Sequence, residues 1–466
     1  MDYRYKLYLN RLLSSWGDRT WEFAIGLYLI KLYPSSLLLT AIQGILASSA
    51  TIILAPIFGR WITKASRIQE VKICLFIQNG AVVISSAFVA LFFLQDQIED
   101  EKIRKTIAFI APIVLVGFSL ISQVTSAGYT LCLEKDWLVT LAEDEKKLTD
   151  LNAMLRRLDL SCQTIAPFLV GLLMQYSELA SAVFFMFWNF FSGFCEYAVL
   201  KSLYNQGIPA LIEPKQSKSG SVNDLSIFDL DAMKKYWKTF SLPGIAFGLV
   251  YLSILGFDSV TVGFITSKGV EEGLIGVVSL IGAIFGILGT LVFQWSAKHI
   301  GLRLTGLIGY VIDLISLSMC LVIALSPDWF GFNWGDMTGP IILFLIGITV
   351  SRAGLWTIDL SVNQLIQTES TNPALIGGVQ TSVNIFAELT KFIVVAFIPA
   401  LENFWILIIV SYLSITCGGV LFAVYNYRCR GLTPTTPSTK LNDKTKSTYG
   451  TFTSDQLKLK RETQAY

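Results

Sequence analysis

The sequence has little histidine, few charged residues and none of the short motifs that mark most enzyme active sites. His299 is the only histidine, and the chain contains no nucleophile motif, no phosphate-binding glycine loop and no CxxC cluster. Charged residues form 15% of the chain, whereas they form about a quarter of an ordinary soluble protein. These absences argue against an enzyme and against a soluble protein.

Neither the cysteines nor the N-terminal segment indicates a secreted protein with disulfide bonds. Most of the 7 cysteines lie within apolar runs, where a free cysteine behaves as a small core residue, so we expect no disulfide bond. The first apolar helix contains charged residues and lacks a small-residue cleavage site, which argues against a cleavable signal peptide.

Long apolar runs dominate the sequence. Hydrophobic residues form 53% of the chain, and about twelve stretches are long enough to cross roughly 30 Å of hydrocarbon. Within lipid the backbone polar groups must bond internally, so these runs predict helices and not open sheets. The predicted fold is an all-α polytopic membrane protein with twelve transmembrane helices in two six-helix halves. The runs lie at 8–33, 36–62, 70–94, 106–133, 152–176, 180–204, 241–266, 272–297, 302–325, 339–366, 374–400 and 404–427.

The runs divide the chain into four parts. Residues 1–204 form the first half and 240–428 the second half, with the polar linker 205–239 between them. The tail 429–466 is rich in Thr, Ser and Lys and poor in large apolar side chains, so we expect it to be disordered. Lysine and arginine in the short loops concentrate on one side, which predicts that both termini, the linker and the tail are cytoplasmic.

The two halves resemble each other in sequence. The segment 37–64 aligns with 272–298, and an aspartate precedes each segment, Asp18 in the first half and Asp258 in the second. Two six-helix repeats that face each other across a cavity would produce this pattern. Chance alignment of helices rich in Leu, Ile and Gly is the alternative.

Polar side chains in the first half lie at membrane depth, where an ionised group costs at least about 3 kcal/mol and usually serves transport or a relay. Asp18 and Glu22 stand one turn apart on one helix face, while Gln78, Asn189 and Glu196 lie in the third and sixth runs. Oxygen ligands without sulfur suit a hard cation such as Ca²⁺, or a less selective transition-metal site. For Gln78 and Asn189 interhelical hydrogen bonding is the alternative.

The second half also carries charges within its runs. Asp258 lies in a predicted interrupted helix, and Arg352 and Asp359 are two helical turns apart. Two explanations of Arg352 and Asp359 stand side by side: ion pairs that hold helices or gates together, and a role in transport. Glu388 and Lys391 share a helix face and would neutralise each other as a pair.

Six motifs along the chain stand out together. They are "LNRLLSSWGDRTWEFAIGLYLI", "SLLLTAIQGI", "EKDWLVTLA", "LNAMLRRLDL", "GLWTIDLSVNQL" and "GGVQTSVNIFAEL". Together they resemble the ferroportin family of iron exporters, and they cover essentially all the predicted helices in the expected order. The "WEF" after Asp18 resembles the plant and lower-eukaryote branch of the family more than the vertebrate branch.

This resemblance implies a major-facilitator antiporter that exports Fe²⁺, or a similar ion such as Co²⁺ or Ni²⁺, from the cytoplasm by alternating access coupled to protons. One metal site of the family uses the aspartate that matches Asp18 and, in vertebrates, a histidine where this chain has Glu22. A carboxylate can replace imidazole as a ligand, although it favours harder cations. The calcium site of vertebrate members matches Asp18, Gln78, Asn189 and Glu196, so Ca²⁺ stays open as a ligand, activator or substrate.

The family's second metal site departs from this pattern. Its cysteine and histidine correspond here to Ser259 and Lys391, within a cavity that also holds Asp258 and Glu388. A protonated ammonium has no lone pair for a metal, so we expect a single high-affinity site in the first half, with Lys391 as a tethered positive charge in the second. The same cysteine takes part in hepcidin recognition in vertebrates, and hepcidin-type regulation is therefore not expected.

The resemblance also implies an intracellular gate. The matching residues are Arg67, Asp136, Asn152, Arg156 and Asp159, to which we add the charged pair of the second half, Arg352 and Asp359. Ordinary positive-inside charge explains the lysines of these loops but not the aspartates. We predict that the gate residues close the cytoplasmic side in the outward-open state.

Two other functions remain as alternatives. One is a transporter of an organic solute, in which Asp18 pairs with Arg19 or Lys391 and no metal binds. The other is a receptor or scaffold that transports nothing. For the favoured function the expected partners are divalent metal ions, protons and the lipid bilayer, with no nucleic acid and no resident cofactor. We expect a monomer in the plasma membrane, with a vacuolar or other organelle membrane as the alternative.

Overall fold

The computed structural model describes residues 3–32, 38–206, 211, 230–257, 261–262, 264–265, 270, 272–326, 339–370, 372–398 and 403–429. Within these ranges the chain is helical with short connections and has no strand, as predicted. Asp258 and Ser259, most of the linker and nearly all of the tail lie outside the described residues.

The described part of the first half contains seven α-helices. Local capping sets several of their starts, because Asp100, Asp144 and Ser177 each accept a hydrogen bond from a backbone N–H of the first turn that follows. A π-helical turn, Leu133–Trp137, separates α4 from α5. The helices are α1 (Tyr3–Leu32), α2 (Leu38–Lys64), α3 (Arg67–Leu94), α4 (Glu101–Cys132), α5 (Leu138–Leu141), α6 (Glu145–Tyr176) and α7 (Glu178–Tyr204).

The described part of the linker and of the second half contains seven more helices. They are α8 (Leu230–Thr239), α9 (Ser241–Tyr251), α10 (Glu272–Ile300), α11 (Leu302–Ala324), α12 (Gly339–Glu369), α13 (Pro373–Phe397) and α14 (Phe404–Arg428). The predicted interruption of the seventh run is confirmed, since α9 ends at Tyr251 and residues 253–257 are not helical. Helix α8 lies in the predicted linker, where the Tyr236 ring is fully buried.

A helix occupies each of the predicted runs. Within the described ranges, nine helices are long and apolar enough to cross a membrane. The other three runs correspond to α1, to α13 and to the short α9 with the residues that follow it. The all-α architecture is therefore confirmed, with a described helix in each of the twelve predicted runs.

The two halves pack through helices that take equivalent places. Helix α2 packs on α13 of the second half, and α10 packs on α6 of the first, as expected if the aligned segments 37–64 and 272–298 are repeats. Glycine allows the α2–α13 contact, because a Cβ on Gly59 would lie 2.6 Å from the carbonyl oxygen of Ala374. A Cβ on Gly378 would lie 2.4 Å from the carbonyl oxygen of Ala55, so the two backbones are in direct contact.

Candidate functional site

The Asp18 carboxylate is the centre of the candidate site. It lies midway along α1 and is partly buried. The side-chain amide of Gln78 on α3 donates to Oδ1 at 2.5 Å, and the Ser126 hydroxyl on α4 donates to Oδ2 at 2.8 Å. Neighbouring helices therefore supply neutral donors to both carboxylate oxygens.

Buried oxygen acceptors without a donor lie on Gln78, which contacts this carboxylate, and on Glu196 of α7. Gln78 Oε1 and Glu196 Oε2 are buried and accept no hydrogen bond from the described residues, and the other carboxylate oxygen of Glu196, on α7, accepts from the Ser192 hydroxyl. The amide group of Asn189 donates to the Phe185 carbonyl, and its Oδ1 lies 3.8 Å from a Cβ placed on Gly17. A buried acceptor without a donor costs about 1–3 kcal/mol, and a cation would relieve that cost.

Glu22 stands apart from this cluster. Although it follows Asp18 by one turn, its Oε2 lies 2.9 Å from Nη1 of Arg19, and its side chain is 63% exposed. Arg19 is one residue from Asp18 and three from Glu22, so it draws the second carboxylate away along the helix surface. In the described ranges no three His, Cys, Asp or Glu side chains come together as a metal site.

The second half offers a different environment. Lys391 on α13 is buried, with Nζ 3.9 Å from Glu388 Oε1 and 4.9 Å from the centroid of the Phe392 ring. The predicted neutralising pair is thus an ion pair without a hydrogen bond. The companion residues Asp258 and Ser259 lie outside the described residues.

A buried charge network joins the halves at the end that the Lys and Arg distribution predicts to be cytoplasmic. Arg156 Nη2 on α6 lies 2.6 Å from Asp359 Oδ2 on α12. The other terminal nitrogen of Arg156 lies 3.4 Å from Asp159 Oδ2, and Arg19 binds both oxygens of Asp159 at 3.2 and 2.9 Å. Charge contacts therefore run from α1 through α6 to the second half.

A set of amides lies beside these charges. The Asn152 amide donates to Gln367 Oε1 at 2.6 Å, and the Gln367 amide donates back at 3.2 Å. Gln364 donates to the Thr149 hydroxyl at 2.7 Å. The π-helical turn takes part through Lys135, which donates to Asn363 Oδ1 at 2.7 Å.

Besides the charge network and the amides, a third set of contacts between the halves joins α6 to α10. The guanidinium of Arg157 donates to the Thr290 hydroxyl at 2.8 Å and also to the side-chain oxygen of Gln294. Gln294 donates in turn to Asp150, which also pairs with Lys298. Sequence reasoning did not single out any of these residues as part of a gate.

The predicted gate residues divide into two groups. Asn152 and Arg156 contact the second half directly, whereas Arg67 pairs with Asp136 at 3.2 Å within the first half. The hydrogen bonds of Asp159 to described residues lie within the first half. The last two predicted gate residues are Arg352 and Asp359.

Arg352 and Asp359 do not bind each other. Asp359 pairs with Arg156, while Arg352 donates to the Leu255 carbonyl oxygen at 2.7 Å, in the non-helical stretch that follows α9. Sequence reasoning missed Gln364 and Gln367, although they form a polar stripe along α12 with Asp359 and Asn363, at spacings of four, one and three residues. This spacing of polar residues could have identified the stripe from the sequence.

Comparison of the sequence with known proteins identifies a family. The model of the Ferroportin1 (FPN1) family matches residues 2–415. Solute carrier family 40 member 1 of Danio rerio is 26% identical over 92% of both chains, and Ferroportin of Homo sapiens is 27% identical over 90% of both. Solute carrier family 40 member 1 of Arabidopsis thaliana is 28% identical over 91% of this chain and 87% of the relative. The plant and vertebrate identities are nearly equal.

Solved structures agree with this assignment at the level of the fold. A bacterial homologue of the iron transporter ferroportin in the outward-facing state has a TM-score of 0.77 at 22% identity, over 92% of this chain and 100% of that chain. The inward-facing state has a TM-score of 0.59 at 22% identity, over 91% and 98%. The major facilitator superfamily transporter FucP has a TM-score of 0.63 at 10% identity, over 91% and 99%. The chain therefore belongs to the ferroportin family, and it is a multi-pass membrane transporter with the major-facilitator fold and not an enzyme.

Proposed function

We propose that the protein exports Fe²⁺, or a similar divalent metal such as Co²⁺ or Ni²⁺, from the cytoplasm across the plasma membrane. The observation that carries this proposal is the Asp18 carboxylate, held by neutral donors, together with the buried oxygens Gln78 Oε1 and Glu196 Oε2, which accept no hydrogen bond from the described residues. Carboxylate and amide oxygens suit hard and intermediate divalent cations. The bacterial protein with a similar fold is a homologue of the iron transporter ferroportin, which supports the same class of cargo.

Gln78 acts as the switch of the site in this proposal. An ionised carboxylate can only accept hydrogen bonds, so Gln78 presents its amide group to Asp18 when no metal is bound, and its carbonyl oxygen points away. Rotation of the amide by half a turn exchanges the donor for a carbonyl oxygen that can bind a cation. The site thus keeps Asp18 hydrogen-bonded between transport cycles without a competing cationic side chain.

Alternating access follows from the contacts between the halves. Metal loaded from the cytoplasm must pass the end where Arg156 meets Asp359 and Asn152 meets Gln367, so these contacts break in the inward-open state. With them formed, the transporter is closed to the cytoplasm. We therefore assign the described conformation to the outward-facing side of the cycle.

Proton coupling has a physical basis in the same site. Carboxylates bind metal in their deprotonated form, so metal binding releases any proton that Asp18 or Glu196 carries. The resulting exchange of metal for protons makes the protein an antiporter. Glu196 is the better candidate for a proton carrier, because its residue is only 2% exposed and one of its oxygens has no donor.

The organic-solute alternative required Asp18 to pair with Arg19 or Lys391. The Arg19 guanidinium instead binds Asp159 and Glu22, and the Asp18 oxygens accept from Gln78 and Ser126. Because the Asp18 carboxylate is hydrogen-bonded by the neutral donors Gln78 and Ser126, its negative charge favours a cationic substrate. An organic solute would require a charge-balanced site.

Flux into proteoliposomes tests the proposal. Purified full-length protein is reconstituted, and uptake of Fe²⁺, Co²⁺, Ni²⁺ and Ca²⁺ is followed with a metal-sensitive dye while a second dye reports internal pH. We expect Fe²⁺ flux with opposite proton movement, lost in Asp18→Asn and retained in the matched acid-to-amide control Glu22→Gln. Equal flux in Asp18→Asn, or flux of none of the four ions, would contradict the proposed function.

A further inference from the structure

A groove on the membrane-facing surface lies between α2, α3 and α4. Its volume is about 560 Å³, which is within the range of small-ligand sites. One wall is formed by Ala50, Leu54, Ile57 and Trp61 of α2, and Ile73 and Val124 contribute to the opposite walls. Such a lining accommodates an apolar chain.

The one hydroxyl in the lining, that of Thr125, has no free hydrogen to donate to a ligand. Thr125 donates its hydroxyl hydrogen to the carbonyl oxygen of Ile121 at 2.6 Å, within its own helix. Ile73 and Ile121 are 44% and 43% exposed, so the groove is open towards lipid. The occupant therefore has a long apolar part that enters from the bilayer.

Two lysines stand next to lining residues along the helices, since Lys64 follows Trp61 by one turn on α2 and Lys72 precedes Ile73 on α3. The lining residues of α2 follow one helix face at spacings of four, three and four residues, and the next position on that face is Lys64. Lys64 and Lys72 are exposed, whereas the nearby Arg67 is paired with Asp136. Trp61 lies one turn from Lys64, as is typical of tryptophan at a membrane interface.

We propose that this groove binds an anionic phospholipid of the cytoplasmic leaflet. One acyl chain lies along α2 against Leu54 and Trp61, and the phosphate lies at Lys64 and Lys72. Zwitterionic lipid offers the same acyl chains without net negative charge, so the two lysines select the anionic head group.

The position of the groove gives the lipid a structural effect. Across α2 from the groove, Ile52 accepts a hydrogen bond from Ser382 of α13 at 2.7 Å, and Gly59 touches Ala374. Phe58 fills the space over Gly128 of α4, where a Cβ would lie 2.7 Å from the ring. A lipid in the groove supports α2 from the side opposite to the second half and stabilises the contact between the halves.

Lipid binding to the full-length protein in detergent tests this site. Native mass spectrometry with phosphatidylglycerol should show one tightly retained lipid, and the same lipid should raise the Tm more than phosphatidylcholine does. The double variant Lys64→Gln with Lys72→Gln should bind phosphatidylglycerol roughly thirty-fold more weakly, since each lysine near a lipid surface contributes about 1 kcal/mol. The control Lys102→Gln, an exposed lysine at the other end of the bundle, should bind as the wild type.

A second variant separates the apolar part from the head group. Ala50→Phe fills the groove without changing charge, and it should abolish the retained lipid while metal flux persists. Unchanged phosphatidylglycerol affinity in both the double variant and Ala50→Phe would overturn the site, as would equal affinity for phosphatidylcholine. Stabilisation by inorganic phosphate alone, equal to that by phosphatidylglycerol, would show an anion site without a lipid and would also overturn it.

Discussion

The guanidinium of Arg156 lies 2.6 Å from the carboxylate of Asp359 and joins α6 of the first half to α12 of the second. Both side chains are largely buried, and the cation also faces the Trp356 ring at 4.8 Å. Removal of one partner of a buried pair leaves the other charge uncompensated. The stability of the described conformation, which we propose is closed to the cytoplasm, therefore depends on this contact.

Asp359→Asn should shift the population towards the inward-open conformation. The substitution keeps the shape of the side chain and removes its charge, and we expect a shift of about 1–3 kcal/mol, the usual size of conformational coupling. A cysteine at Leu360, which lines a small cavity beside Arg156, should then react faster with a membrane-impermeant maleimide in inside-out vesicles. The native cysteines are removed for this measurement.

Glu178→Gln is the matched control for that experiment. Glu178 also belongs to an interhelical ion pair, with Lys31 at 2.8 Å, but both residues lie in the first half at the other end of the bundle. Labelling at position 360 that rises equally in both variants, or in neither, would mean that the Arg156–Asp359 contact does not close the cytoplasmic side.

Gly378→Val should open the same end by steric force. A Cβ at this position would lie 2.4 Å from the Ala55 carbonyl oxygen, so α13 must move away from α2, at a cost of roughly 1–3 kcal/mol. The maleimide reaction at position 360 should accelerate as it does in Asp359→Asn. Gly80→Val is the control, because a Cβ on Gly80 meets nothing within 4 Å; similar rates in the two glycine variants would refute the explanation.

The sequence predicted the helices well because hydropathy and length act locally along the chain. Each apolar run became a helix, and even the interruption after Tyr251 could be read from the glycines that follow it. Both features arise because each segment in lipid must form its backbone hydrogen bonds within the protein.

Partner choice between helices could not be read in the same way. Glu22 has the spacing to join Asp18, but Arg19 lies closer along the surface and binds its carboxylate. Arg67 and Asp136 were predicted as gate residues and pair within one half, whereas the neutral Gln364 and Gln367 cross between halves. Which side chains meet depends on the rotation and offset of packed helices, and those quantities are set by the whole bundle.

The orientation in the membrane is a further prediction. Because the Lys and Arg excess lies in the loops on the side of the termini, the linker and the tail should both be cytoplasmic. Single cysteine probes at Ser221 and Thr435, in a cysteine-free background, should react with an impermeant reagent only after the cells are permeabilised. Reaction of either probe in intact cells would overturn the orientation.

The number of bound metal ions follows from the asymmetry of the two halves. In the proposed site Asp18 binds the metal with the oxygens of Gln78, Asn189 and Glu196, so calorimetric titration with Co²⁺ should give close to one ion per protein. Asp18→Ala should bind essentially none. Glu22→Gln should bind nearly as the wild type, because the Glu22 side chain is exposed and paired with Arg19. Undiminished binding in Asp18→Ala would place the metal elsewhere.

The second half should bind no ion while Lys391 is present. Its ammonium is buried, and a positive charge in a medium of low effective dielectric repels a divalent cation by more than a serine hydroxyl can supply as a ligand. Replacement of both residues, Ser259→Cys with Lys391→His, removes the charge and supplies a sulfur and an imidazole ligand. Titration of this double variant with Co²⁺ should therefore reveal a second ion, and the single variant Ser259→Cys should still bind one. Two tight sites in the unmodified protein would show that Lys391 does not exclude the metal.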